Sequence, residues 1–477
     1  MRQPRVALIN PPTTGRARYG ALAAAGSRAA PLGLCSLAAA LREAGAHVRA
    51  FDAAAAAAAP SEVAREVIAF RPDLAGITAV TMTAGVAGDI AAALAPHVPV
   101  VMGGPHVSAV PEETLARYPG VSLAVIGEGE ETLVELVFAL AGGCPPDAAE
   151  VPGLMRRLAG GGFARTAPRP RILDLDRLPV PAFDLLAGFP AGYRPQTQSV
   201  RRLPSVSLMT SRGCTGRCTF CSRSVFGRRV TFHSAEYVYE LILWLRRRFG
   251  VRDVQFEDDC FILDRRRLLE LCRLLQRRDA GITWSCLARA DRVDAELLAE
   301  MRAAGCWAVQ LGVESGSQAV LDRLRKDAAI DGLWAAIRAV RRAGLRAKGF
   351  FMVGCPRETE ASLRATERLA LGAGLNDIGV CYFTPFPGTA EYARCRDDGA
   401  FSDDWSRMTG YEPLFLPAGL TRPRLRAWYR RLLWRFYLRP RAFLDYLGRI
   451  TSWQGFRDAV RALLSLLRLR GHESCKT

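Results

Sequence analysis

The stretch Ser211-Arg212-Gly213-Cys214-Thr215-Gly216-Arg217-Cys218-Thr219-Phe220-Cys221 decides how the rest of the chain is read. Thiolates spaced by three and then two residues can hold three irons of a 4Fe-4S cube and leave the fourth iron open to another ligand. A structural zinc site needs a closed shell of four ligands, and His233, at the approach to a helix, is twelve residues beyond Cys221. The apolar run 206–209 just upstream reads as a strand, which puts the cysteines in the loop at its carboxyl end.

Working outward, apolar runs recur at 254–256, 282–287, 308–313, 348–353 and 378–383, with helical periodicity at 235–249, 265–278, 295–304, 332–343 and 358–371. Six such units predict a partial (β/α)6 barrel over residues 201–415. Barrels place their chemistry at the carboxyl ends of the strands, where the cysteine loop falls. Residues 1–142 show a second alternation of buried strands and amphipathic helices and predict an α/β, doubly wound, Rossmann-like domain. Its crevice should lie beyond the strand ends, at Gly103-Gly104-Pro105-His106 and Gly127-Glu128-Gly129-Glu130. Glycines there allow close approach to a ligand, and they also make ordinary turns. The alanine run 53–59 reads as a loop or helix lead-in.

Residues 143–200 break the rhythm with Pro, Gly and Arg and read as a linker, with 178–183 lying across one domain or the other. Residues 416–477 form a basic, aromatic-rich helical region. Its Trp428, Tyr429, Trp434, Phe436, Tyr437, Phe443 and Trp453 either pack on the barrel with Arg facing water, or serve peripheral contact with an anionic membrane or a lipid-like substrate.

The chain has 477 residues, enough for two or three cores, and no uninterrupted apolar stretch long enough to cross a membrane. Thirteen cysteines in largely apolar surroundings read as reduced thiols, so a cytoplasmic location is expected. The net charge of +18 comes almost wholly from Arg and carries no RNA-binding module with it, so no nucleic-acid partner is expected.

These residues resemble the radical S-adenosylmethionine (SAM) superfamily, whose three-cysteine signature carries an aromatic residue before the third Cys, here Phe220. Asn10-Pro11-Pro12, Pro31-Leu32-Gly33-Leu34 and the two crevice motifs are similar to the cobalamin-binding-type domain of one large subgroup. Phe256-Glu257-Asp258-Asp259, Gly312-Val313-Glu314-Ser315-Gly316 and Pro385-Phe386-Pro387-Gly388-Thr389 are similar to its barrel. The resemblance implies that Cys214, Cys218 and Cys221 hold a 4Fe-4S cluster. SAM would dock on the open iron and be cleaved reductively to a 5′-deoxyadenosyl radical, with electrons from an external donor such as flavodoxin or ferredoxin. Glu257, Asp258 or Asp259 then corresponds to the acceptor of the methionine amino group, and Glu314, with Ser315, to the ribose-binding position. Arg289 meets the methionine carboxylate or pairs with Asp291. Cobalamin contacts fall on Gly103, Gly104, Pro105, His106, Gly127, Glu128 and Gly129. None of His47, His97, His106, His233 or His472 sits in the Asp-x-His-x-x-Gly pattern that supplies a histidine below cobalt in many cobalamin proteins. Either cobalamin binds without that histidine, which the retained glycine loops favour, or the domain has lost it.

The resemblance implies methylation of an unactivated carbon in a small-molecule or lipid-like biosynthetic intermediate, with Tyr382, Thr384 and Trp405 as pocket candidates. The same parts could drive cyclisation or rearrangement. A tRNA methylthiotransferase needs three more amino-terminal cluster cysteines, where only Cys35 and Cys144 stand, and an iron–sulfur redox sensor would keep the cluster without turning SAM over. Cys355, Cys381, Cys395 and Cys475 are too dispersed to read as an auxiliary cluster.

Overall fold

A computed structural model describes residues 3–440 apart from 147–149, 159, 194–198 and 278–279, together with 442, 445 and 460. Strands β1 (Arg5–Asn10), β2 (His47–Asp52), β3 (Leu74–Thr78), β4 (Val100–Gly103) and β5 (Leu123–Val125) form a parallel sheet in the order β2-β1-β3-β4-β5. Successive residues serve opposite faces. Ala7 and Ile9 enter one core with the helices Pro60–Phe70 and Ala84–Leu94, while Val6 and Leu8 enter another with Leu32–Glu43 and Glu130–Ala141. Burial on both faces is why these strands read as continuous apolar runs.

The sheet does not stop at β5. Residues 143–200, expected as a linker, contribute β6 (Leu154–Arg157) and β7 (Phe163–Arg165), which extend the first sheet antiparallel at its edge. The stretch 178–183 lies across both domains: Ala182 joins a core of the first domain and donates its N–H to the Cys35 carbonyl, while Phe183 enters the barrel core. The alanine run opens with a short helix, Ala53–Ala56, capped by the Asp52 side chain.

The second domain begins with β8 (Ser205–Leu208). A two-stranded hairpin, β9 (Ser211–Arg212) and β10 (Thr231–Phe232), brackets the cysteine loop. The half-barrel then continues through β11 (Asp253–Phe256), β12 (Thr283–Ala288), β13 (Cys306–Glu314), β14 (Arg346–Val353) and β15 (Asp377–Tyr382), all parallel, in the order β15-β14-β13-β12-β11-β8. Val206, Val254, Phe256, Trp284, Cys286, Val309, Leu311 and Phe351 share a core with the surrounding helices. Their alternates Ser207, Gln255, Ser285, Gln310 and Lys348 therefore line the concave side.

A small antiparallel pair, β16 (Gly399–Phe401) and β17 (Phe415–Pro417), precedes the helix Arg422–Tyr437. That helix packs on the barrel, burying Leu425, Trp428, Tyr429, Leu432, Leu433 and Phe436. Arg431 and Arg435 reach Glu367 on the helix Glu360–Gly372. Phe443 and Trp453 lie outside the described residues. Among the described residues no helix is long and apolar enough to cross a membrane.

Candidate cofactor site

Cys214, Cys218 and Cys221 sit on the loop between β9 and β10, the first two half-buried and the third exposed. The loop is tied down on both sides. The Thr219 N–H and hydroxyl donate to the Leu324 carbonyl at 2.9 and 3.2 Å, and Arg223 donates to the Gly216 carbonyl at 2.8 Å. Gly216 threads between the thiols: a Cβ there would lie 3.4 Å from Cys214 Sγ, 3.8 Å from Cys218 Sγ and 3.2 Å from an Arg289 nitrogen. A glycine there leaves the most room beside the sulfurs for a group they hold. Burial pushes the Cys221 thiol up to about 11, with Asp259, Cys218 and Cys214 adding to it. Burial also raises Cys218, against the pull of Lys326 and Arg289. Thiols that feel one another this way need a cationic centre to ionise together, and an iron–sulfur cube is one. Among the described residues no three His, Cys, Asp or Glu side chains converge as a single metal ion requires, whereas a cube holds its thiolates further apart.

The carboxylates separate by direction. Glu257 follows β11 on the concave side, where its carboxylate accepts from Ser207 at 3.4 Å. Burial raises its pKa while Lys348 opposes the rise. Asp259 is exposed, beside the cysteine loop. Asp258 is fully buried, and its Oδ1 accepts from the Thr210 N–H at 3.0 Å, the Thr210 hydroxyl at 2.9 Å and the Ser211 hydroxyl at 2.5 Å. Through Oδ1 it fastens the strand that leads into the cysteine loop, while its Oδ2 is buried without a hydrogen-bond partner in the protein. Ser315 is likewise inward, against Thr366 at 3.1 Å. Arg289 forms its two-point pair with Asp291, at 2.9 and 3.2 Å, and still presents its remaining nitrogen to Gly216.

Glu314 ends β13 in a left-handed conformation, φ 65°, after a register shift. A non-glycine residue there is strained, and such strain gathers at functional sites. Lys326 donates to its carboxylate at 2.7 Å and lies 5.9 Å from the Phe220 ring centre. Burial works to strip the Lys326 proton, yet Glu314 and Cys218 outweigh it and hold the ammonium above its ordinary range. Arg325 and Asp327, on either side, are also left-handed, with φ of 50° and 51°. The sequence reading missed Lys326. A signal existed: the chain has three lysines among 65 basic residues, and two of them, Lys326 and Lys348, face this site.

In the first domain, Gly104 has φ 102°, and a Cβ would come 2.9 Å from the Ala79 carbonyl, so the crevice loop hugs the strand end. His106 is buried with both ring nitrogens unpartnered and its ring 4.4 Å from that of Trp405. These orphaned nitrogens beside the crevice suit a ligand rich in amides, which is the chemistry of a corrin's edge. Glu128 has a different use. Its carboxylate accepts from Arg212 at 2.7 Å, from Arg171 at 2.7 Å and from the Ile172 N–H at 3.0 Å, and Arg212 also reaches Glu130 at 2.5 Å. It joins the two domains through Arg212, which stands two residues before Cys214, and both of its oxygens are engaged in that junction. Gly127 packs near the Val225 carbonyl of the cysteine loop, and Gly129 opens the helix Glu130–Ala141. Tyr382 is in the core, stacked on Tyr429, and Trp405 faces His106 rather than the barrel interior. Cys355, Cys381 and Cys395, dispersed in sequence, meet in one apolar cluster behind Phe220.

His106 gives the molecule an acid-side stability slope. Burial, aided by Arg117, lowers its pKa from 6.5 to about 4, so the unfolded chain takes up this proton first. Its contribution is complete above 6.5 and is lost as pH falls toward 4. His233 is lowered likewise to about 4, and H106L should therefore remove one of two such contributions. Denaturant titrations at pH 7 and 4.5 are expected to show a smaller loss of stability in the variant, and an unchanged slope would show that His106 is not buried neutral.

A family model described as the radical SAM superfamily matches residues 208–370, and one described as a B12 binding domain matches 19–137. The uncharacterized methyltransferase PH0819 of Pyrococcus horikoshii is 31% identical across 97% of this chain and 99% of its own. The anaerobic magnesium-protoporphyrin IX monomethyl ester cyclase of Rubrivivax gelatinosus is 27% identical across 81% of this chain and 69% of its own. The structure of the radical SAM methyltransferase TsrM from Kitasatospora setae, with cobalamin and a [4Fe-4S] cluster bound, is similar at a TM-score of 0.71 and 19% identity, covering 98% of this chain and 99% of TsrM. With its thiol loop, its half-barrel and its crevice domain all in place, the chain belongs to the cobalamin-binding radical SAM enzymes, whose cofactors are a 4Fe-4S cluster, SAM and cobalamin.

Proposed function

We propose that this chain methylates an unactivated carbon of a small molecule. The observation that carries the reading is the abutment of the two cofactor loops: the segment Gly127–Glu130 of the crevice is ion-paired to Arg212 at the root of the cysteine loop. A substrate held between them would meet both cofactors. When bound, the cluster and SAM supply a hydrogen-abstracting radical and cobalamin supplies the methyl group.

The protein's part is holding and orienting. Cys214, Cys218 and Cys221 would anchor the cluster, and the exposed position of Cys221 suits delivery of an electron from flavodoxin or ferredoxin. Glu257 or Asp259 would accept the methionine ammonium, Arg289 or Lys326 would meet its carboxylate, and Glu314 would take the ribose hydroxyls. Gly103, Gly104, Pro105, His106, Gly127 and Gly129 would cradle the corrin.

Methylation consumes SAM in two ways, one giving S-adenosylhomocysteine and one giving 5′-deoxyadenosine. Anaerobic protein reconstituted with iron, sulfide and hydroxocobalamin should form both when a reductant is present. Deoxyadenosine without S-adenosylhomocysteine would remove the methyl-transfer reading and leave the cyclisation or rearrangement that the porphyrin-cyclase likeness supports.

A further inference from the structure

The concave wall of the barrel holds more polar chemistry than the cofactors use. Gln255 of β11 stands in register beside Ser207 of β8 and Ser285 of β12, and Gln310 of β13 stands beside Lys348 of β14. Ser285, Gln310 and Gln255 are 0%, 2% and 5% exposed. Even so, Gln255 Oε1, Ser285 Oγ and both amide atoms of Gln310 have no hydrogen-bond partner in the protein. A buried polar atom left unpaired costs about 1–3 kcal/mol, so four on one wall point to partners that come from outside. A small cavity, with room for about one water, meets Gln310 and Lys348 from the amino ends of the strands, between Ser199, Trp307 and Asp377. Lys348, one of the chain's three lysines, donates to the Ser199 hydroxyl at 3.1 Å and draws on the Glu257 carboxylate.

Resting on the function proposed above, we infer that this wall binds the polar end of the substrate, a neutral group bearing both donors and acceptors, such as a carboxamide or a polyol. Two amides and a hydroxyl satisfy a group that both gives and accepts hydrogen bonds. A sulfate or a doubly ionised phosphate has no proton to give, so it would leave the acceptors Gln255 Oε1 and Gln310 Oε1 unpaired. A hydrocarbon would leave all four atoms unpaired, which argues against a lipid-like substrate. The wall lies below Gly312 and Glu314 on β13, so a head group anchored there leaves the rest of the substrate pointing toward the cofactors.

The test is the triple variant Q255M/S285A/Q310M in the full-length, cofactor-loaded enzyme. The unpaired atoms are replaced by apolar groups of similar shape, so its Tm should match or exceed that of the parent. The probes are the water–methanol and chloroform fractions of a metabolite extract from the producing cells. Stimulation of S-adenosylhomocysteine formation is expected from the water–methanol fraction in the parent, and in the variant it should fall by about tenfold or more, the equivalent of one lost hydrogen bond. A Tm several degrees below the parent with stimulation intact would mean that structural water fills the wall, and would overturn the proposal. Stimulation by the chloroform fraction alone, or by neither fraction, would overturn it too. Failure of the underlying function would look different: no reductant-dependent SAM cleavage in parent or variant, with the Tm comparison still readable.

Discussion

C218A is expected to lose its cluster iron and to bring reductant-dependent 5′-deoxyadenosine formation down to background, a fall of well over the roughly 10–100-fold that follows loss of a group behind the ligands. Cys218 is half-buried, with the charges of Lys326 and Arg289 turned toward it. Cys260, whose thiol also feels Cys214, is fully buried in the barrel core. G216V separates anchoring from space. It keeps all three cysteines but puts branched carbon where a Cβ alone would lie 3.4 Å from Cys214 Sγ and 3.8 Å from Cys218 Sγ. Its iron content and SAM cleavage should fall nearly as far as in C218A, while far-ultraviolet dichroism stays that of the parent. Iron assay, visible absorbance and chromatographic deoxyadenosine measure all three proteins. Parental iron and cleavage in C218A would end the reading of this loop as a cluster site.

What the sequence showed plainly was what is local and periodic. The six barrel strands were legible because their outward alternates are apolar and helices of ordinary length separate them. β6 and β7 were not, since they are short, carry Arg156, Arg157 and Arg165, and are joined through a run of three glycines. They become strands only by pairing with an existing edge. Among the three acids after β11 a stricter use of the same period would have helped. Phe256 packs on the helices, so Glu257 turns inward, and Asp258 turns back to bond Thr210 and Ser211. The surroundings of Lys326 and Glu128 were hidden for a different reason. Lys326 acquires its meaning from Glu314 and Cys218, across turns that no periodicity reports. Glu128 follows a crevice glycine and so reads as facing a ligand, while the guanidiniums that occupy it come from 43 and 84 residues further along the chain.

Glu128 is where the next largest effect is expected. E128A should destabilise the protein by about 3–5 kcal/mol, the range for removing one partner from a buried ion pair. The Glu128 side chain is 2% exposed and that of Arg212 is 11% exposed, so Arg171 would lose its carboxylate partner and Arg212 would be left with Glu130 alone. Arg212 now holds its proton above its ordinary range, because Glu130 and Glu128 outweigh the cost of burying it. The matched control is E296Q, which removes an exposed partner of Arg265 and should change stability by less than about 1 kcal/mol. Denaturant unfolding of the apoproteins measures both. The consequence should reach past stability, because the chain runs from Arg212 through Gly213 straight into Cys214, and a strand released from the crevice no longer fixes where the thiols point. E128A, assayed at a temperature where it remains folded, should therefore load less iron and cleave SAM more slowly, whereas E296Q should match the parent in both. If E128A unfolds with the parent and loads the same iron, the two cofactor domains are held together by something other than this carboxylate.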